Sequence, residues 1–217
     1  MFNSDISTLQ LIAVAIVPVL LAIIVHEIAH GWVALQLGDD TAYRMGRLTL
    51  NPLKHIDPIG TILVPLVLIL TVNVAFGWAK PVPVNFNRLH NHKRDTALVA
   101  VAGPFANLLM AILWIVIAKI ASMLPETLST ISSPLLLMSM FGVVINSILM
   151  VFNLIPIPPT DGGRIATSLL PPRMGYQLSR IEPYGFLIIL ALLLSGVLWK
   201  FFDLVIQTAM QLVQFVL

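Results

Sequence analysis

The chain has no cysteine and few charged residues. None of its 217 residues is cysteine, which excludes a disulfide framework, a thiolate metal site and a cysteine nucleophile. Asp, Glu, Lys and Arg make up only 10% of the chain, whereas 58% of the residues are hydrophobic and the mean hydropathy is +0.95. Soluble domains carry about 25% charged residues. The composition therefore predicts an integral membrane protein.

The chain also lacks any polar stretch long enough to fold as a separate soluble domain. We expect one membrane-embedded domain over residues 1–217, with a core over 9–170 and C-terminal helical segments over 184–217. The net charge of +2 is modest, so a nucleic-acid partner is not indicated. The motifs of nucleotide-binding proteins and serine hydrolases are missing as well.

Six apolar segments predict an all-α polytopic protein with five or six helical segments. They cover residues 9–37, 59–76, 96–120, 134–157, 184–199 and 201–217, and about 20 helical residues cross a membrane. The loops 38–58 and 77–95 are both basic, so a spanning segment 59–76 would place them on opposite sides, against the positive-inside rule. A re-entrant segment, broken at Pro65, puts both loops in the cytoplasm and the N-terminus outside. Six plain spans are the alternative.

The last segment differs from the others. Asp203, Gln207, Gln211 and Gln214 recur every three or four residues and form one line on a helix; we call these four residues the polar stripe. We expect this segment to lie in the membrane interface or to pack the stripe on neighbouring helices, in a structural role.

The stretch "HEIAH" places three ionisable side chains inside the first apolar segment. His26 and His30 are four residues apart, so on a helix they point the same way and can bind one metal ion. Glu27 is placed to act on a water molecule at that metal, as in the H-E-x-x-H pattern of zinc proteases. Because each of these groups is costly in lipid unless paired or metal-bound, we interpret the cluster as a zinc site rather than a structural polar cluster.

A third ligand is expected from "NLIPIPPTDGG", residues 153–163. Its prolines end an apolar span, and the break lets the Asp161 carboxylate turn back into the bilayer; the alternative for Asp161 is a helix cap at the membrane surface. Asn153 can bind a substrate carbonyl or an oxyanion, or form an interhelical hydrogen bond. His55 can bind substrate, orient a ligand or be solvated.

These motifs resemble those of the site-2 protease family, peptidase family M50, in a compact bacterial branch without PDZ and CBS domains. The resemblance rests on "HEIAH", "AGPFANL" at residues 102–108 and "NLIPIPPTDGG". It implies that His26, His30 and Asp161 hold one zinc ion, that Glu27 activates water and that Asn153 helps to hold the scissile peptide. We interpret "AGPFANL" itself as a helix-packing motif.

The resemblance also implies an intramembrane endopeptidase in the bacterial inner or plasma membrane, with transmembrane segments as substrates. An unwound substrate could pair with an exposed strand, and residues 43–50, after the first helix, or 81–85 are the candidates for this short β element. We expect the site to lie nearer the cytoplasmic face. A divalent-cation transporter and an inactive scaffold are the alternative functions, although no internal repeat of a transporter is visible. Nothing in the sequence sets the substrate or the oligomeric state.

Overall fold

A computed structural model describes residues 7–72 and 77–217, and every regular element among them is helical. The α-helices are α1 (Thr8–Gln36), α2 (Thr41–Arg44), α3 (Val64–Val72), α4 (His92–Ser122), α5 (Ser129–Asn153), α6 (Asp161–Leu169), α7 (Pro172–Ser179), α8 (Glu182–Leu194) and α9 (Val197–Val216). A π-helix over Pro58–Leu63 runs into α3, and short 3₁₀ turns occupy Pro52–Lys54, Phe86–Arg88 and Glu126–Leu128. The all-α prediction is confirmed for this part of the chain.

In the part of the chain that the structure describes, three helices are long and apolar enough to cross a membrane. They are Gln10–Gln36, His92–Ser122 and Glu126–Asn153, and the pair α7 and α8, bent by 65°, makes a fourth if it is one span. The prediction of an integral membrane protein agrees with this finding, but three or four spans are fewer than the five or six segments expected. Residues 58–71 form an apolar helix that is too short, and α9 is too polar to qualify.

The helices α1, α4 and α5 form the core that carries the site. They approach closely because small residues line their contacts, with Ala22, Ala34, Ala100 and Ala106 all buried. The small contact residues thus let α4 reach the histidine face of α1.

Helix α1 begins with a capping box. The Ser7 hydroxyl accepts from the Gln10 N–H, and the Gln10 side chain accepts from the Ser7 N–H.

Hydrogen bonds join residues 60 and 61, near the start of the predicted segment 59–76, to Trp78, which follows it in the chain. The Trp78 N–H donates to the Gly60 carbonyl at 3.0 Å, and the Thr61 hydroxyl donates to the Trp78 carbonyl at 2.9 Å. Residues 60 and 78 therefore lie side by side, as the two ends of a re-entrant segment must. A plain span would instead place its ends on opposite sides of the bilayer.

The short β element expected after the first helix is wrong for the described residues. In the range 43–50, the first residues complete α2 and Gly46 has φ +61°, so the chain turns instead of extending. In the range 81–85, the Val82 and Asn85 N–H groups donate to the carboxylates of Glu27 and Asp39. These two amides are consequently not free to pair with an extended substrate.

The C-terminal helix α9 packs by its apolar side. Leu198, Phe202, Ala209 and Val213 are buried against neighbouring helices, whereas all four residues of the polar stripe are exposed. The expectation that the stripe packs on neighbouring helices is therefore wrong within the described residues.

Candidate metal centre

Among the described residues, three side chains from α1 and α6 converge on one point. His26 and His30 are separated by one turn of α1, and their Nε2 atoms lie 3.0 Å apart. The Oδ2 atom of Asp161 lies 3.2 Å from Nε2 of His26 and 3.3 Å from Nε2 of His30. The three residues form the group with metal-ligand spacing. The structure thus brings together the three side chains that the sequence named as ligands.

Asp161 reaches this point because it is the first residue of α6. The Thr160 side chain caps the helix by accepting from the Gly163 N–H, and its hydroxyl donates to the carbonyls of Ile155 and Ile157. A Cβ on Gly162 or Gly163 would collide with the backbone of the preceding loop. The two glycines therefore allow close packing of α6 on the loop.

Hydrogen bonds to the Nδ1 atoms fix how the two imidazoles face the centre. His30 Nδ1 lies 2.7 Å from the Val99 carbonyl oxygen, which can only accept, so Nδ1 carries the hydrogen. His26 Nδ1 lies 2.6 Å from Oδ1 of Asn107. The Asn107 amide nitrogen donates to the Ala22 carbonyl at 3.1 Å, so the oxygen must face His26. Both neutral imidazoles then direct an Nε2 lone pair at Asp161.

The convergence of three acceptor atoms fits a bound cation. No hydrogen-bond donor in the described part of the chain satisfies the buried Oδ2 of Asp161. A tetrahedral zinc ion with bonds of about 2.0–2.1 Å has ligand–ligand distances of about 3.3 Å. The donor set and its spacing therefore fit zinc.

Helix α4 packs directly on the two histidines at Gly103. A Cβ at this position would lie 2.5 Å from Cε1 and 2.6 Å from Nε2 of His26, and as close to His30. Only glycine leaves the imidazoles their space. Gly103 and Asn107 both belong to "AGPFANL", so this motif shapes the centre as well as packing the helices.

Glu27 lies on a different side of α1 and is held by an extended segment. We call residues 77–85 the strap. The Val82 N–H donates to Oε2 of Glu27 at 2.7 Å. Pro81 and Pro83 have no N–H and restrict the residues before them to extended conformations, so Val82 supplies the one amide hydrogen of residues 81–83.

A buried arginine anchors the strap. Nη2 of Arg47 donates to the carbonyls of Lys80 at 3.0 Å and Pro81 at 3.2 Å. The Arg47 side chain is buried, with 7% of its surface exposed. Arg47 thereby fixes the strap one residue before the amide that contacts Glu27.

The structure gives His55 and Asn153 contacts away from the three ligands. His55 is buried; its Nε2 lies 2.9 Å from the Thr49 carbonyl oxygen, and its own carbonyl accepts from the Lys80 N–H at 2.9 Å. The His55 side chain is thus neither solvated nor part of the metal cluster. The amide nitrogen of Asn153 donates to the Leu149 carbonyl at 3.0 Å, within its own helix.

Comparisons with known proteins place the chain in a family. Its residues 122–196, which include Asp161, match the family described as "Peptidase family M50". It is 37% identical over 196 residues to "Putative zinc metalloprotease YwhC" of Bacillus subtilis, covering 88% of this chain and 86% of that protein. The chain belongs to peptidase family M50. It is also 30% identical over 190 residues to "Putative zinc metalloprotease Rip2" of Mycolicibacterium smegmatis, covering 86% of this chain and 69% of that protein.

Membership in this family, the site-2 proteases, confirms the predicted function class. The chain is a site-2-type intramembrane zinc metalloprotease, and neither the transporter nor the scaffold alternative is supported. No solved structure matches the chain.

Two residues beside the candidate metal centre were not predicted from the sequence. Asn107 orients His26, and Arg47 holds the strap that contacts Glu27. A signal for Asn107 was present, because a polar amide in an apolar span, four residues after Gly103, needs a partner. Arg47 gave no signal beyond its positive charge.

If His26 binds zinc as predicted, we expect Asn107→Leu to weaken zinc binding by about 10- to 100-fold, because His26 loses the acceptor that sets its tautomer and orientation. Competition with a chelator of known affinity measures this effect. Ser139→Ala is the matched control, since Ser139 is also fully buried but its hydroxyl bonds only the Leu135 carbonyl of its own helix. Wild-type affinity in Asn107→Leu would show that His26 needs no orienting partner.

Proposed function

We propose that this M50 protease hydrolyses peptide bonds within or beside membrane-spanning segments, with one zinc ion per chain held by His26, His30 and Asp161. The observation that carries the proposal is the convergence of three acceptor atoms at 3.0–3.3 Å with no proton donor between them. Three protein ligands leave a fourth position for water, as in catalytic zinc sites. The adjoining Glu27 then acts as the general base.

Bound zinc would lower the pKa of water towards about 7 and polarise the scissile carbonyl. Glu27 takes the proton of the attacking water while the new C–O bond forms at the carbonyl carbon. The same carboxyl then delivers that proton to the leaving amine as the C–N bond breaks. Since the strap holds Oε2 of Glu27, the other carboxylate oxygen is the one that takes the proton.

We further propose that the substrates are transmembrane segments, unwound locally at the centre. A helix hides its peptide bonds in i→i−4 hydrogen bonds, so the scissile bond must leave the helix before water can attack it. Asn153 would contact the substrate carbonyl after releasing the Leu149 carbonyl, to which its amide now donates. His55 instead supports the site through its backbone carbonyl, which accepts from the N–H of Lys80 in the strap.

The proposed orientation places the N-terminus outside and the centre nearer the cytoplasmic face of the bacterial plasma membrane. It is supported by the basic charge of loops 38–58 and 77–95 and by the contact between residues 60 and 78, which would keep both loops on one side of the membrane. Residues 1–217 would form a single membrane-embedded protease domain.

Metal removal tests the proposed function. The purified protein is assayed in detergent with a single-span substrate, before and after treatment with a chelator, and its metal content is measured. We expect about one zinc per chain, cleavage within the span, loss of cleavage on zinc removal and recovery when zinc is added back. Mass spectrometry locates the cut. Undiminished cleavage by the zinc-free protein would contradict the proposal.

A further inference from the structure

The polar stripe of α9 points directly away from the helix bundle. At about 100° per residue, its four residues fall on the side of α9 opposite the buried Phe202, Ala209 and Val213. Lys200 lies one turn before the stripe and on the same side, and all five polar side chains are exposed. Within the described residues, no hydrogen bond or ion pair is formed by any of these side chains.

The contacts of α9 show that the helix runs along the full height of the bundle. Near its start, the ring of Phe202 lies 6.3 Å from that of Phe152, one residue before the end of α5. At its other end, the Leu217 carbonyl accepts from Nζ of Lys119, near the end of α4. The C-terminal ends of α4 and α5 lie at opposite ends of the bundle. The 20 residues of α9 cover about 30 Å. The helix thus lies beside the spans and not flat on the membrane surface.

A line of exposed amides and a carboxylate along a helix that runs beside the spans would face hydrocarbon. Such groups are costly in lipid and are almost always found against protein or water. The neighbouring side of α9, with Val205, Thr208 and Leu212, is mainly apolar and lines an open groove against α4 and α5, which suits lipid chains. Only the polar stripe therefore needs a protein partner.

We propose that α9 is a dimerisation helix whose polar stripe docks on the same stripe of a second copy of this chain. A glutamine side chain both donates and accepts hydrogen bonds, so Gln207 and Gln211 can pair with their counterparts across a two-fold axis. Lys200 and Asp203 add opposite charges one turn apart. The face is thus complementary to itself, and two copies satisfy it without any other protein.

Cysteine cross-linking tests the dimer cleanly, because the natural chain contains no cysteine. Gln207→Cys and Gln211→Cys are reconstituted separately into liposomes and oxidised by oxygen with copper phenanthroline, which converts two thiols into one disulfide. Phe201→Cys and Leu212→Cys are matched controls on the exposed neighbouring side of the helix. We expect a product of twice the chain mass from the two stripe variants only. Equal cross-linking on both sides, or none from the stripe, would overturn the proposal.

A second measurement follows the strength of association. In the double variant Gln207→Leu/Gln211→Leu, we expect the monomer–dimer equilibrium in liposomes to shift towards monomer by about tenfold or more. Energy transfer between labelled copies measures this equilibrium. Thr208→Leu is the control and should leave the equilibrium unchanged. Both variants should keep wild-type zinc content, since the stripe faces away from the centre. Unchanged association in the double variant would contradict the dimer. If the cysteine variants of the stripe formed cross-links in cell membranes only with another protein, the face would belong to that protein and the dimer would be overturned.

Discussion

Replacing Glu27 by glutamine is expected to abolish cleavage while zinc remains bound. The amide keeps the size of the side chain but cannot take the proton of the attacking water. General-base catalysis contributes about 10²- to 10⁴-fold, so we expect a loss of that size in the cleavage rate of a single-span substrate. Zinc content should match the wild type, because the three ligands are untouched. Rate and metal content are measured on the same preparation.

Glu126→Gln is the matched control for this experiment. It makes the same chemical change at an exposed glutamate in a 3₁₀ turn between α4 and α5, far along the chain from the centre, and should cleave like the wild type. If Glu27→Gln cleaved at the wild-type rate, Glu27 would not be the base, and a contaminating protease would have to be excluded. Loss of zinc in Glu27→Gln would show instead that the substitution disturbs the ligands.

Asp161→Asn should lose zinc and cleavage together. The amide has nearly the shape of the carboxylate but carries no charge, and it leaves only His26 and His30 as anchors. We expect zinc affinity to fall by at least about 100-fold, with cleavage lost at zinc concentrations that saturate the wild type. Zinc affinity by chelator competition and cleavage over a zinc titration measure the two effects.

Asp40→Asn controls for the loss of a carboxylate near the surface. Asp40 pairs with Arg44 and Arg88 in a partly exposed cluster, where an ion pair contributes little to stability, and zinc binding should not change. If Asp161→Asn bound zinc as tightly as the wild type, the alternative of a helix-capping aspartate would be correct. The third ligand would then have to be sought elsewhere.

The proximity of the two histidines could be predicted from the sequence because helix periodicity is strict. Four residues bring His26 and His30 to one face of any regular helix, whatever surrounds it. Asp161 was found by a weaker argument, since a proline-rich break at the end of a span indicates that the chain turns, but not where. Its position 3.2–3.3 Å from both imidazoles depends on α1, α4 and α6 packing together.

The other features depend on contacts between distant parts of the chain and left only weak traces in the sequence. The expected strand after α1 failed because local hydrogen bonds around Asp39 and Gly46 turn the chain first. Asn107 contacts His26 across 81 positions of sequence, and Val82 contacts Glu27 across 55. The polar stripe was visible as a pattern, yet only the packing of α9 determined which way it faces.

The strap has a consequence for the energetics of turnover. Two prolines, a buried arginine and one amide hydrogen bond restrict Glu27 before any substrate arrives. Little conformational entropy then remains to be lost in assembling the catalytic groups. The entropic and enthalpic cost of reaching the transition state falls mainly on the substrate, which must give up helical hydrogen bonds. Substrates with glycine or proline near the scissile bond, whose helices are already weakened there, should therefore be cut fastest.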